Sequence, residues 1–382
     1  MIFKEESHLI INGPGFIKET ELLIRQARNY IFLHTYIFHY DNMTITLVEE
    51  LKMANARGVK VFIIIDGFGS INFPHKVIDH LKNQGIHIKY FKPLLSFKEI
   101  GIRLHQKVLL VDGEQAIVGG INYSEKYNAI GIESPWLDHA LYTSSQEILR
   151  LLLKKVFPLY RSHFKLKKTF IGNFTTPYGP KTNKVKVIEN NWTRYRQEVY
   201  RDYLHNIRKA NFEIILFATY FIPGKKLLRT LKKASKRGVK IKLIFGKKSD
   251  HQMSKLASDY FYKWYLKNGF EVYEWVESIV HSKMGIFDQE IVTIGSYNHN
   301  FISRYANLEL NITINDQAVS KQVVNEFERV LSHSTQIKKE DYKDSLGSRF
   351  FSSLIYIITN MFALFSMIFI YKNYKKKRLT KD

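Results

Sequence analysis

Two short strings in this 382-residue chain set an imidazole two positions before an ammonium: His105-x-Lys107 and His281-x-Lys283. Each runs through four uncharged residues to an aspartate, Asp112 or Asp288, and then to a Gly-[Gly/Ser]-x-Asn string, Gly119-Gly120-x-Asn122 or Gly295-Ser296-x-Asn298. Corresponding residues are 176 apart throughout, so one motif is written twice, a far more specific signal than either copy alone. Along an extended strand, residues two apart project from the same face, so each His and Lys should point together while Gln106 or Ser282 points away. If the copies meet, their cleft holds two imidazoles, two ammonium groups and the amides of Asn122 and Asn298. That set suits a phosphodiester. Lys107, Lys283, Asn122 and Asn298 would bind the non-bridging oxygens and stabilise a five-coordinate transition state, while His105 and His281 handle attack and protonation. Asp112 and Asp288, where an apolar strand ends in a turn, are expected to hold the framework together with Gly120 and Ser296.

The elements that would carry these residues also repeat. LKMANARGVK at 51–60 matches LKKASKRGVK at 231–240, and IFLHTYIF at 31–38 parallels ILFATYFIP at 215–223. Periodicity predicts a helix around 16–29, a strand over 30–38, a helix around 44–57 and a strand over 59–66, with the same order later in the chain. Such alternation implies an α/β domain whose parallel or mixed sheet is covered by helices, present twice and face to face. Gly58 and Gly238 are read as helix-terminating glycines before buried strands. The expected division is a first domain over 1–164, a linker over 165–186, a second domain over 187–333 and a charged connector over 334–350. An apolar segment over 351–371 and a basic tail over 372–382 follow.

Composition narrows the partners. Cysteine is absent, which excludes disulfides, thiolate metal sites and a cysteine nucleophile, so any metal would need His and carboxylate ligands alone. A formal charge of +23 draws phosphate-bearing partners, whether nucleic acid or an anionic membrane surface. The start, MIFKEESHLI, carries Glu5 and Glu6 and does not read as a secretory signal. The 21 uncharged residues from Phe351 to Tyr371 would span about 31 Å as a helix, enough for a bilayer core. Basic residues from Lys372 to Lys381 follow; with a cytoplasmic body they oppose the positive-inside tendency for a spanning helix, so a monotopic or re-entrant insertion, with the basic tail on anionic headgroups, is the alternative.

Several strings then carry a resemblance: GGINYS at 119–124, WLDHAL at 136–141, and VIENNWTRYRQEVYRDYLHNIRKANFEIILFATYFIPGKKLL at 187–228. With the paired HxK motifs they resemble the phospholipase D superfamily over about 12–327, and within it the short bacterial cardiolipin synthases. The resemblance implies two tandem phospholipase D-like α/β sandwich domains related by a pseudo-twofold, followed by the C-terminal apolar helix. It implies a membrane-associated phosphatidyltransferase making cardiolipin from phosphatidylglycerol and a second phospholipid, with phosphatidylethanolamine a further candidate substrate. By similarity His105 is the nucleophile that takes up the phosphatidyl group, and His281 the general acid and base. Asp138 and Glu309 would each orient the histidine of the other half. No metal and no cofactor is implied, nucleic acid is not the expected partner, and the implied location is the cytoplasmic side of a bacterial inner membrane. Where the family usually has Glu before Thr-Tyr this chain has His34, expected to be structural. The alternatives are a phospholipase D that hydrolyses lipids to phosphatidic acid, a phosphodiesterase nuclease, expected as a shorter one-motif chain that dimerises, and an inactive binding module, which two intact motifs disfavour.

Overall fold

The structure, a computed structural model, describes residues 6–91, 102–128, 134–172, 184–191 and 196–340, together with Ile357 and Met361. In the first half, β1 (Ser7–Ile11), α1 (Asn12–Gln26), β2 (Tyr30–Thr35), α2 (Asn42–Ala56), β3 (Lys60–Asp66), α3 (His75–Asn83) and β4 (His87–Phe91) are followed by three more strands. These are β5 (Val108–Val111), β6 (Gln115–Gly119) and β7 (His139–Thr143), before α4 (Gln146–Phe164) and the short α5 (Thr169–Gly172). The second half contains β8 (Val185–Asn191), β9 (Arg196–Gln197), α6 (Glu198–Lys209), β10 (Glu213–Phe217), α7 (Lys225–Lys236), β11 (Lys240–Gly246), α8 (Gln252–Asp259), α9 (Tyr262–Lys267) and β12 (Glu271–Trp275). It continues through β13 (Gly285–Phe287), β14 (Ile291–Gly295), α10 (Phe301–Tyr305), β15 (Leu308–Asn315), α11 (Gln317–Ser332) and β16 (Ser334–Ile337).

The strand orders are β1-β7-β6-β5-β2-β3-β4 and β16-β12-β11-β10-β13-β14-β15-β8-β9. Read in opposite senses they share one seven-stranded mixed order, to which the second adds β16 and β9 at its edges: β2, β3 and β4 are parallel, as are β10, β11 and β12, while the motif strands β5 and β13 run antiparallel to β2 and β10. Strand β2 is buried along its whole length because each face is covered, which explains a continuous apolar run rather than an alternating one. Its odd-numbered side, with Ile31 and Leu33, packs under α1 and α2. Its other side, with Tyr30 and Phe32, joins a core that contains Ile215, Phe217 and Met284 of the second half and the apolar faces of α4 and α11. This shared core brings the two halves face to face.

Three boundaries differ from expectation. Strand β8 begins at Val185, inside the expected linker, because its residues pair with β15. The connector opens with β16, whose Ser334–Ile337 pair antiparallel with Val272–Trp275 of β12, so the sheet edge extends past 333. The HxK residues precede β5 and β13 rather than lying within them, because the amides of His105 and His281 pair across the interface. The expected membrane helix over 351–371 falls outside the described residues except for Ile357 and Met361, both helical and exposed. Among the described residues no helix is long and apolar enough to cross a membrane.

Candidate active site

The two halves are stitched by short parallel bridges, Leu104 to Leu308 and Leu137 to Val280. The residue before each motif histidine thus pairs with the residue before a carboxylate of the opposite half. The amide of His105 donates to the Leu308 carbonyl at 3.0 Å, and that of His281 to the Leu137 carbonyl at 2.8 Å. Asp138 and Glu309, although 171 residues apart, are structural equivalents: each lies two residues before the strand partner of its motif glycine, Ala140 opposite Gly119 and Asn311 opposite Gly295. The bridges therefore carry each carboxylate to the far histidine. His105 Nδ1 lies 2.9 Å from Glu309 Oε2, and His281 Nδ1 lies 2.6 Å from Asp138 Oδ2. His105, Lys107, His281, Lys283, Asp138 and Glu309 are all buried.

The two imidazoles are not held alike. His105 Nδ1 faces only acceptors, Glu309 and the Ser296 carbonyl at 3.1 Å, so Nδ1 must carry the proton and Nε2 the lone pair. His281 Nδ1 faces an acceptor in Asp138, a donor in Lys283 Nζ at 2.8 Å and the Tyr127 hydroxyl at 3.2 Å. Its proton is contested. Among the described residues neither Nε2 has an internal partner. Burial lowers the pKa of His105, against the pull of Glu309, and pushes His281 down to about 4 with help from Lys283. Burial also lowers Lys107 to about 7 and Lys283 to about 8. Burial alone would raise both carboxylates; Lys283 and His281 hold Asp138 below its ordinary value, and His105 and Lys107 do the same for Glu309. Each lysine also donates to the carbonyl of its own motif histidine, which folds both ammonium groups back toward the imidazoles. Tyr36 stands edge-on to His105 and Tyr220 edge-on to His281, at centroid distances of 5.0 and 6.0 Å.

The supporting residues fall out unequally. The Asp112 carboxylate accepts the amides of Arg28, Asn29 and Tyr30, each at 2.8 Å, and Asp288 accepts those of Asn211, Phe212 and Glu213. Both tie the turn before the central strand to the end of the motif strand of the same half. Gly120 leaves room for Asp138, whose Oδ1 would lie 2.3 Å from a Cβ there, whereas its counterpart Ser296 donates its hydroxyl to Glu309. Asn122, read from sequence as a phosphate donor, instead accepts from the Ile37 amide at 3.1 Å and donates to the Tyr127 hydroxyl at 2.8 Å, so its amide holds the framework. The buried Asn298 side-chain oxygen has no partner among the described residues. His34 is structural: Nδ1 meets the Tyr160 hydroxyl at 3.0 Å and burial lowers its pKa to about 3. Among the described residues no group of acids and histidines could hold a metal ion.

Sequence reasoning missed Tyr127, Asn307 and His139. Asn307 donates to Glu309 Oε1 at 3.0 Å. His139 links Ser282, at 2.7 Å, to Glu326 of α11, at 3.0 Å. The repeat hid Tyr127, because its counterpart 176 residues on is Ser303; the adjacency of His139 to Asp138 was the available signal for that residue.

Comparison with known proteins identifies the family and the fold. A family profile described as "Cardiolipin synthase, PLD-like domain" matches residues 22–153 and 203–331, once in each half. Cardiolipin synthase B of Shigella flexneri is 26% identical over 343 residues, covering 86% of this chain and 81% of its own length. Cardiolipin synthase 1 of Staphylococcus aureus (strain COL) is 27% identical over 358 residues, covering 91% of this chain and 72% of its own. The crystal structure of phosphatidylserine synthase from Haemophilus influenzae Rd KW20 superposes with a TM-score of 0.72 at 14% identity, over 95% of this chain and 94% of that one. That of polyphosphate kinase from Porphyromonas gingivalis gives 0.59 at 17% identity, over 94% and 53%. At these identities the two structures speak for the fold alone, two phospholipase D-like domains in tandem.

Proposed function

The chain belongs to the cardiolipin synthase, phospholipase D-like family of phosphatidyltransferases, and from that premise we propose that it makes cardiolipin from phosphatidylglycerol through a phosphatidyl-histidine intermediate at a membrane surface. The observation that carries the reading is the crossed pairing of His105 with Glu309 and His281 with Asp138. Such pairs stabilise an imidazole as it gains positive charge. The locked Nδ1–H tautomer supports His105 as nucleophile, because its Nε2 lone pair is available without prior proton transfer. The contested Nδ1 proton supports His281 as the group that changes protonation during the cycle.

In the first half-reaction the bond from His105 Nε2 to phosphorus forms and the phosphorus–oxygen bond to the headgroup breaks, with the proton of His281 passing to the departing alcohol oxygen. In the second, a hydroxyl of the accepting phosphatidylglycerol gives its proton to His281, its oxygen bonds to phosphorus and His105 is released. Lys107 and Lys283 neutralise the non-bridging oxygens, whose charge in turn favours the ammonium forms that burial disfavours. The charge of +23 suits an anionic lipid surface.

The test is mass spectrometry of lipids after incubation of the purified protein with phosphatidylglycerol in detergent or liposomes, alone and with phosphatidylethanolamine. Cardiolipin with release of glycerol, lost in His105→Ala and His281→Ala, is the expected result; release of ethanolamine would add phosphatidylethanolamine as a donor. Phosphatidic acid alone would make the enzyme a hydrolase, and unchanged lipids would refute lipid chemistry for the site.

A further inference from the structure

The pseudo-twofold is broken in charge along the outer flank of the second half, the side turned away from the shared core. The segment 225–240, which forms α7 and its exit, carries eight basic residues and no acid, whereas its repeat counterpart at 45–60, on α2, carries three basic residues and two acids. The acids of α2 are spent internally, Glu49 on Lys52 and Glu50 on Arg25. On α7, Lys225, Lys226, Arg229, Lys233 and Lys236 are exposed and make no ion pair among the described residues. At 3.6 residues per turn these five fall within an arc of about 100°. Opposite them, Leu227, Leu231 and Ala234 are buried in the core of the second half. A basic bias spread evenly over the chain would charge both copies alike, and it charges one.

The neighbouring α6 extends this face. The Arg237 guanidinium ties the two helix ends together, donating to the Ile207 and Ala210 carbonyls at 3.1 and 2.9 Å, and α6 exposes Arg201, Arg208 and Lys209. Its two acids are taken up, Glu198 by Lys155 and Asp202 by Lys186. The charge also reaches the site. Strand β10 leads through Tyr220, edge-on to His281, to the first turn of α7 at Lys225. The exposed Lys247 and Lys248 follow the parallel β11 at the same end of the sheet, and Asp250 beside them accepts the Tyr220 hydroxyl.

We infer that the exposed face of α6 and α7 is a docking surface for an anionic lipid bilayer, which it meets along the flank of the second half with the His281 end of the site at its edge. Basic side chains near such a surface gain from the negative potential of its headgroups, and the 12 residues of α7 offer them a row about 18 Å long. Because the apolar side of α7 is committed to the core, the helix lies on the headgroups instead of inserting among acyl chains, so the contact is electrostatic and weakens with salt. The inference rests on the phosphatidyl-transfer reading for its choice of lipid, and adds to it the face that meets the membrane.

The absence of cysteine allows a single label on the full-length chain. An environment-sensitive fluorophore on Lys233→Cys of α7 is compared with one on Met53→Cys, its exposed counterpart on α2. With phosphatidylcholine vesicles containing roughly one-third phosphatidylglycerol, at about 50 mM NaCl, the α7 label should shift to the blue and the α2 label should not. The α7 shift should be lost in pure phosphatidylcholine and at about 0.5 M NaCl. Lys225→Gln, Arg229→Gln and Lys236→Gln together should raise the lipid concentration at half-shift about 100-fold, since each basic residue at an anionic surface is worth about fivefold. No shift of the α7 label, whether or not the chain floats with the vesicles, equal shifts of both labels, or a half-shift unchanged by the three substitutions would overturn the docking face. A shift with duplex DNA but not with vesicles would overturn it in favour of nucleic acid. Cardiolipin formation in detergent micelles, which present no bilayer, is read in parallel and should be equal in the wild type and the substituted chain. A wild type inactive in micelles would refute phosphatidyl transfer, while a shifting α7 label would still establish the face.

Discussion

Replacing the two site carboxylates by their isosteric amides should have unequal effects, because their second partners differ. Asp138 Oδ1 accepts the backbone amide of His139 at 2.8 Å, a donor that cannot turn round. In Asp138→Asn the amide oxygen must stay there, and the NH2 group then faces His281 Nδ1. That nitrogen is forced to accept, the proton moves to Nε2, and the ring can serve neither as base nor as a stabilised imidazolium. The corresponding wrong-tautomer change in a serine protease triad lowers kcat by ~10⁴, and we expect a loss on the order of 10³–10⁴-fold here. Glu309 Oε1 instead meets the side chain of Asn307, whose own oxygen is buried without a partner among the described residues. In Glu309→Gln, Asn307 can flip to accept from the new NH2 while the amide oxygen keeps its bonds to His105 and Ser296. Only the charge is lost, which weakens the His105 bond by roughly 1–2 kcal/mol, or about five- to thirtyfold in rate. Initial rates of cardiolipin formation from phosphatidylglycerol micelles, with thermal melts to establish folding, provide the comparison. Equal losses, or a larger loss in Glu309→Gln, would refute the tautomer argument.

Gly120→Ala places a methyl group against Asp138 Oδ1; it should lower activity about 100-fold by displacing the carboxylate, while the circular dichroism spectrum stays native. Asp112→Ala removes the acceptor of three backbone amides and should destabilise the fold by about 3 kcal/mol, seen as a lower Tm, whereas activity below the transition persists. Burial holds the pKa values of both His34 and His299 at about 3. Their unfolded forms bind protons below about pH 6.5 while the folded forms do not, so stability falls with acid across that window, by about 2 kcal/mol per histidine at pH 5. Urea titrations at pH 7.5 and 5 should show this, and equal midpoints would count against neutral burial.

Much of the machinery was legible in the chain itself. The 176-residue repeat of the HxK motif singled out four residues that the structure buries together, because a motif written twice leaves the same spacing twice. The expected elements coincide within a few residues with α1, β2, α2 and β3, since amphipathic helices and buried strands have distinct apolar periods. Asp112 and Asp288 were read as framework because an acid after an apolar strand has backbone amides to satisfy, and turn-bound carboxylates are what the fold contains.

What periodicity could not contain is anything that depends on how the halves meet. The backbones of His105 and His281 leave their home sheets, a departure invisible to strand alternation because their partners, at Leu308 and Leu137, lie in the other half. Asn122 turned from a substrate donor into a support for Tyr127, since an amide takes whichever buried partner comes within reach. The difference between His105 and His281 was likewise hidden in two near-identical strings. Spacing along a chain records which groups a half contributes; the protonation of each imidazole depends on donors and acceptors within about 3 Å, and apart from Lys283 those of His105 and His281 come from the opposite half.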